Sequence, residues 1–212
     1  MTLDQTNHDT LVVEQFSKQA IPFAQVPGHL DGIELLIALA EPRRGDVALD
    51  IACGPGLVTC AFAPKVAKIE GMDITPRMID EARKRQEAAT LTNMSWCVGS
   101  IDALPYPGDS FDLIVTRYSF HHFTRPQQAL VEMLRVCRPG GMVLIADVVM
   151  AADKANAYDR LELIRDPSHT RILRPGEMDA WFAEMSLVDS RQAAYEVAIG
   201  LEQQLEVWNG MQ

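Results

Sequence analysis

Residues 47–56 constrain this chain more than any other stretch. Val47, Ala48 and Leu49 read as a strand, Asp50 follows at its carboxyl end, and Gly54 and Gly56 form the turn beyond. A glycine turn lets backbone approach a ligand where a Cβ would clash. Residues 57–63 can then open a helix whose first amides point into the same space. Ligands bind to open α/β sheets outside the carboxyl ends of the strands, so strand, acid, glycine turn and helix in that order imply a nucleoside-cofactor site. The plainer alternative, that Asp50 caps the turn and the glycines only shape it, leaves the acids further along the chain without a reason.

Asp50 separates two cofactor classes by charge. A dinucleotide brings a pyrophosphate to this turn, and two like charges about 5 Å apart at an effective dielectric near 20 repel by roughly 3 kcal/mol. S-adenosylmethionine has no phosphate and carries an ammonium and a sulfonium, which a carboxylate favours. The dinucleotide fingerprint also needs Gly or Ala three positions after its second glycine, where this chain has Thr59. S-adenosylmethionine is therefore the expected cofactor.

Other residues suited to that ligand follow at the expected spacing. Residues 67–73 read as a second strand ending in Asp73, about twenty residues after the glycine turn, where a carboxylate accepts the hydroxyls of a ribose. Residues 94–98 read as a third strand. The loop after it places Ile101 to flank an adenine and Asp102 to accept its exocyclic amine. A buried fourth strand over 110–117 leads into Tyr118, Ser119, Phe120, His121, His122 and Phe123.

With these segments the chain resembles the class I S-adenosylmethionine-dependent methyltransferases, in particular the small-molecule branch that includes the ubiquinone and menaquinone biosynthesis enzymes. The resemblance runs over residues 16–188 and rests on five segments in order: the turn at 50–56, Asp73, the loop at 99–104, the four residues from Phe120, and the run 134–145 before a fifth strand. It departs at Ala52, where the family turn usually has a glycine. The resemblance implies a Rossmann-like, doubly wound α/β fold with a mostly parallel sheet. It also implies a cofactor site formed by Asp50, Ala52, Gly54, Gly56, Asp73, Ile74, Met78, Ser100, Ile101, Asp102 and Arg117.

Composition agrees with one enzyme domain. A chain of 212 residues with 48% hydrophobic content can bury one good core. The formal charge of −10 argues against a non-specific grip on nucleic acid or anionic membrane. Cys53, Cys60, Cys97 and Cys137 lack Cys-x-x-Cys spacing and read as thiols of a reducing, cytoplasmic compartment, with neither disulfide nor metal site expected. No signal-peptide pattern and no bilayer-length apolar run appear, so a soluble protein is expected.

Several helices can be placed. Residues 11–24 carry Phe16, Ala20 and Phe23 on neighbouring turns, ahead of a core domain starting near Gly28. Related enzymes use such a segment as a lid, so residues 1–27 are expected as a helical lid and 28–212 as the cofactor-binding domain, with packing on a sheet edge as the alternative. Residues 31–39, 76–88, 126–135, 153–164 and 175–184 are further helices, two of them opening at Pro76 and Pro126.

Methyl transfer from a sulfonium is an in-line displacement, so the enzyme mainly aligns the reactants, excludes water and removes any proton on the nucleophile. The segment after the fourth strand borders the reacting centre in this architecture. There Arg117 is placed to bind the methionine carboxylate or an acidic substrate, and Tyr118 to line the pocket. His121 and His122 are candidate bases, of which adjacency allows at most one to face the site. His169 is a third candidate base. Asp166 and Arg171 are candidate substrate residues or an ion pair closing their loop, and Phe16 a further wall of the acceptor site. The acceptor is expected to be a small organic molecule, phenolic, quinol-like or enolic. Two other readings stay open: a non-methylating reaction on the same cofactor, and a cofactor-binding regulatory subunit.

The C-terminal part fits less well. Sheets of this type end with two further strands, and residues 187–197 supply only the first, while 202–208 look helical. An unpaired sheet edge favours association, so a homodimer is an expectation.

Overall fold

A computed structural model describes residues 5–25 and 32–196. It contains one parallel sheet of five strands: β1 (Val47–Ile51), β2 (Lys68–Asp73), β3 (Met94–Val98), β4 (Phe111–Arg117) and β5 (Cys137–Ala146). Their order is β3-β2-β1-β4-β5, and every neighbouring pair is parallel. The chain therefore winds outward from β1 to β3, then crosses back to β4 on the other side of β1. That reversal between β1 and β4 opens a crevice at the carboxyl ends of the strands.

Seven α-helices are described: α1 (Gln5–Gln25), α2 (Ile33–Ala40), α3 (Leu57–Phe62), α4 (Pro76–Ala88), α5 (Pro126–Val136), α6 (Ala152–Arg165) and α7 (Glu177–Ala183). Alternate residues of the central strands enter different cores, as the two-residue period of a strand requires. Leu49 and Ile114 join Leu130, Met133 and Trp181 on one face, while Ala48, Leu113 and Val115 join Leu36, Val58 and Phe62 on the other. Burial on both faces is what a parallel sheet needs, and it accounts for the near-continuous apolar runs in β1 and β4.

Local chemistry sets several boundaries. Pro76 and Pro126 each stand in the first turn of their helix, where a missing N–H costs no internal hydrogen bond. The helix after the glycine turn is only six residues long and continues as a 3-10 turn over Ala63–Lys65. Helix α1 is one continuous helix packed against α4.

The sheet differs from expectation beyond α7. Residues 187–196 form no strand, and Val188 is fully exposed. The described sheet ends at β5. The boundary proposed at residues 27 and 28, the Phe23 side chain, and the helix expected over 202–208 lie outside the described residues.

Candidate active site

The crevice contains a pocket with an empty volume of about 1110 Å³, open solvent at its mouth included. Its floor is the β1 turn. Ala52 and Gly54 line it, both with φ of 53°. The left-handed region disfavours a residue bearing a Cβ by roughly 1 to 2 kcal/mol, which explains why the family turn usually has glycine where this chain has Ala52. At Gly54 an added Cβ would point into open space, so backbone and ligand can meet there. Gly56 has another role and stands off the pocket wall. With φ of 77°, a Cβ there would lie 2.9 Å from the Trp96 ring and 3.0 Å from Ala82, so this glycine permits α3 to pack against β3 and α4.

Asp73 ties two turns together. One carboxylate oxygen accepts the Gly54 N–H at 2.9 Å and the other accepts the Thr75 N–H at 2.8 Å. Burial raises its pKa, while those two hydrogen bonds work the other way. Ile74 and Met78 continue the wall from Asp73, and Ser100, Ile101 and Asp102 also line it. Asp102 pairs with Arg125 at 3.3 Å through one oxygen, and its other oxygen is buried without a hydrogen-bond partner. A carboxylate acceptor in want of a donor on the wall, an open cradle over Gly54 and a row of acids suit an adenosyl cation.

Asp50 differs from its expected state. It is 1% exposed and accepts a hydrogen bond from the Thr59 hydroxyl. Burial pushes its pKa up to about 7, with the Thr59 bond opposing and the Asp73 charge adding to the rise. Its negative charge is thus only partly present at neutral pH without a cation beside it. An acid whose folded pKa exceeds its unfolded value takes up a proton on folding, so stability falls as pH rises from near 4 to near 7, here by about 4 kcal/mol in all. Asp50→Asn can still accept from Thr59. It is expected to flatten that loss and raise the melting temperature of the ligand-free protein at pH 8, while weakening S-adenosylmethionine. A mutant whose stability follows the wild-type pH curve between 4 and 8 would contradict this.

Helix α1 supplies the outer wall through Gln5, His8, Asp9, Val12 and Phe16. Positions 8, 12 and 16 follow a four-residue spacing, so one helix face carries them all. Polar contacts fix α1 in place. His8 Nε2 donates to the His122 carbonyl at 2.8 Å, Gln15 donates to the Arg165 carbonyl at 3.3 Å, and the Phe16 ring meets the His122 ring edge-on at 4.9 Å.

Among the candidate bases, His122 lines the pocket. Its Nδ1 lies 3.1 Å from the Ser168 carbonyl, which can only accept, so Nδ1 carries the hydrogen and Nε2 the lone pair. Burial and the neighbouring His121 charge hold its pKa well below the ordinary value. His121 turns away to Asp147 at 2.6 Å. Burial works against protonation of His121, yet the Asp147 charge and hydrogen bond outweigh it and hold the pKa above the ordinary value. Asp147 is kept low by His121 and by the N–H groups of Val148 and Phe120, against the effect of burial. His169 lies behind both, paired with Asp159 at 2.8 Å, with its Nδ1 buried and unpartnered. Neither His121 nor His169 belongs to the pocket wall.

Asp166 and Arg171 do not form the ion pair expected of them. Arg171 pairs with Glu177 at the start of α7, where the loop carries the guanidinium away from Asp166. Asp166 turns inward to Ser168 and Gln19. Both stand off the pocket wall, whereas Phe16 and Tyr118 are part of it. Arg117 also lines the pocket. It reaches the Tyr118 hydroxyl at 3.1 Å and the Tyr195 hydroxyl at 3.3 Å.

Sequence reasoning missed His8, Asp147, Ser168 and Tyr195. The four-residue spacing to Val12 and Phe16 points to His8, and the strand-end logic that selects Asp50 and Asp73 selects Asp147 after β5. Nothing local marks Ser168 or Tyr195. Among the described residues, no group of three His, Cys, Asp or Glu is arranged to hold a metal ion, and no helix is long and apolar enough to cross a membrane.

Residues 49–145 match the methyltransferase domain family. An uncharacterized methyltransferase of Bacillus subtilis, YcgJ, is 32% identical over 198 residues, covering 92% of this chain and 73% of that protein. The ubiquinone/menaquinone biosynthesis C-methyltransferase UbiE of Roseobacter denitrificans is 34% identical over 131 residues, 59% of this chain and 52% of that enzyme. The chain thus spans about half the length of UbiE. The crystal structure of YcgJ superposes with a TM-score of 0.69 at 34% identity, over 72% of this chain and 66% of YcgJ. A Bacillus halodurans protein assigned as a methyltransferase gives 0.66 at 28% identity, over 72% of this chain and 67% of that one. Sheet order, acid-lined crevice and these likenesses agree, and the chain belongs to the class I S-adenosylmethionine-dependent methyltransferases.

Proposed function

We propose that this chain methylates a small organic acceptor bearing an acidic O–H, N–H or C–H group, with His122 as the base. Bound S-adenosylmethionine supplies an activated methyl group, whose bond to sulfur breaks with the electron pair left on sulfur. Asp73 holds the ribose, Ile101 and Asp102 the adenine, and Asp50 lies beside the cationic methionine end. Arg117 binds the methionine carboxylate. Phe16 and Tyr118 bound the acceptor space, and α1 excludes water from it. The single observation that carries this reading is the His122 ring, held as the Nδ1–H tautomer by Ser168 with a bare Nε2 in a pocket-lining residue.

The acceptor is expected to be uncharged before reaction. Four acids, Asp9, Asp50, Asp73 and Asp102, line the pocket against one arginine, Arg117, which opposes entry of a phosphate or carboxylate. A phenol, quinol or enol fits that balance and presents an acidic proton to the base. Nucleic acid fits neither this pocket nor the net charge of −10. A panel of such acceptors incubated with the chain and S-adenosylmethionine tests the reading. S-adenosylhomocysteine together with an acceptor heavier by one methyl group is the expected outcome. Altered acceptor without homocysteine release would replace it with a non-methylating reaction, and cofactor binding without any turnover with a regulatory role.

Two further expectations belong to the same proposal. Cytoplasmic placement suits four free cysteines, all of which should titrate as thiols in protein isolated from its own cells. A homodimer paired along the edge of β5, which has no neighbouring strand among the described residues, would cover that backbone, and a constant monomer mass over a wide concentration range would exclude it.

A further inference from the structure

Around the three clustered histidines, the charged side chains pair off and leave Asp166 over. His121 pairs with Asp147, His169 with Asp159 and Arg165 with Glu162. Nearby Arg171 is taken by Glu177. Asp166 forms no salt bridge among the described residues. Its carboxylate accepts instead from neutral donors: the Ser168 hydroxyl at 2.6 Å, the Ser168 N–H at 2.9 Å and the Gln19 amide at 3.2 Å. Asp166, Ser168 and Gln19 are 1%, 0% and 2% exposed.

A buried carboxylate without a cation is costly to keep ionised, yet Asp166 is held below the ordinary carboxylate range. Burial opposes this, while the hydrogen bonds from Ser168 and Gln19, and the positive charge that His122 carries once protonated, outweigh it. The hydroxyl proton of Ser168 is committed to Asp166, so its oxygen can only accept from the His122 Nδ1–H, 3.2 Å away. The Nδ1–H is thus shared between the Ser168 carbonyl at 3.1 Å and Ser168 Oγ, the second branch runs on from Oγ to Asp166, and the remaining ring nitrogen is left bare.

We propose that Ser168 and Asp166 are positioning residues for His122: Ser168 holds the ring with Nε2 free, and Asp166 supplies the negative charge that balances the ring when it takes the acceptor's proton. The inference rests on His122 being the base. In the step, the acceptor's bond to hydrogen breaks and an N–H bond forms at His122 Nε2. The acceptor keeps the electron pair for bonding to the methyl carbon, and the proton later passes from Nε2 to water. Gln19 of α1 donates to the same carboxylate, so the outer wall of the pocket and the charge behind the base share one hydrogen-bonded chain.

Nitrogen-15 histidine NMR on the full chain with S-adenosylhomocysteine bound tests this. His122 is expected as the Nδ1–H tautomer, with that proton far downfield and slow to exchange. Ser168→Ala and Asp166→Asn should each move the proton upfield and speed its exchange by roughly tenfold or more, equivalent to one lost hydrogen bond. Ser168→Thr should restore it. Affinity for S-adenosylhomocysteine should stay within about twofold, which also reports that the variants fold. With an acceptor that turns over, both variants should lower kcat roughly 10- to 100-fold while KM changes little. An Nε2–H tautomer in the wild-type chain, or a proton that neither substitution moves, overturns the proposal and leaves the methyltransferase reading standing. Absence of turnover with every acceptor would sink that reading while the tautomer result still decides the relay.

Discussion

Replacing Asp73 with alanine should weaken S-adenosylhomocysteine binding by at least about 100-fold, roughly 3 kcal/mol, because two charged hydrogen bonds to ribose hydroxyls are lost at about 1.5 to 3 kcal/mol each. The loss is expected to exceed that of a contact residue alone. Asp73 also accepts from Gly54 and Thr75, so its removal frees the glycine turn and the start of α4 that together shape the floor. Asp73→Asn should fall between the two. It keeps one acceptor oxygen but turns an amide N–H toward a backbone N–H. Calorimetry with S-adenosylhomocysteine reads the effect directly, and an unchanged dissociation constant for Asp73→Ala would remove Asp73 from the cofactor site.

His122→Ala should lower kcat by roughly 10² to 10⁴, the range for removing a general base, with much less change in affinity for S-adenosylhomocysteine. The wild-type pH profile carries a second expectation. His122 is held well below its ordinary pKa by burial and by the His121 charge, so it is already unprotonated at neutral pH. The rate should therefore show no limb near pH 6.5 from this group, and the acid limb should lie lower. His121→Ala is expected to act differently. It removes the partner of a buried carboxylate, Asp147, and should cost stability more than rate. A His122→Ala variant with wild-type kcat would dismiss the base.

The fold was largely legible because its signals are local. The helix over Pro76–Ala88 and the strand over Met94–Val98 form where the sequence places them, since a proline fixes the one start and apolar alternation marks the other. A strand at residues 187–197 rests on resemblance alone. That segment runs through Asp189, Ser190, Arg191 and Gln192 with no apolar face to bury, and its described part forms no strand. Asp50, Asp73 and Asp102 were legible for the same local reason, each standing at a strand end or in the loop after one, whereas Asp9 on α1 carries no such signal.

What could not be read was the arrangement behind His122. It joins residues 19, 122, 166 and 168, with the Gln19 to Asp166 contact spanning 147 positions. No spacing rule connects such residues, and the topology alone brings them together. The same holds for Arg171, whose carboxylate partner is Glu177 six residues on rather than Asp166 five residues back. Ala52 shows the opposite case, where a family departure seen in sequence acquires its meaning only from a φ of 53°.

A crystal structure of the full chain with S-adenosylhomocysteine would show where the adenosyl group and its sulfur lie. Adenine is expected against Ile101 with its amine on the unpartnered Asp102 oxygen, ribose on Asp73, and the sulfur facing a space bounded by Phe16, Tyr118 and His122 Nε2. A ligand seated elsewhere, or one in this crevice whose sulfur faces away from His122, would contradict it.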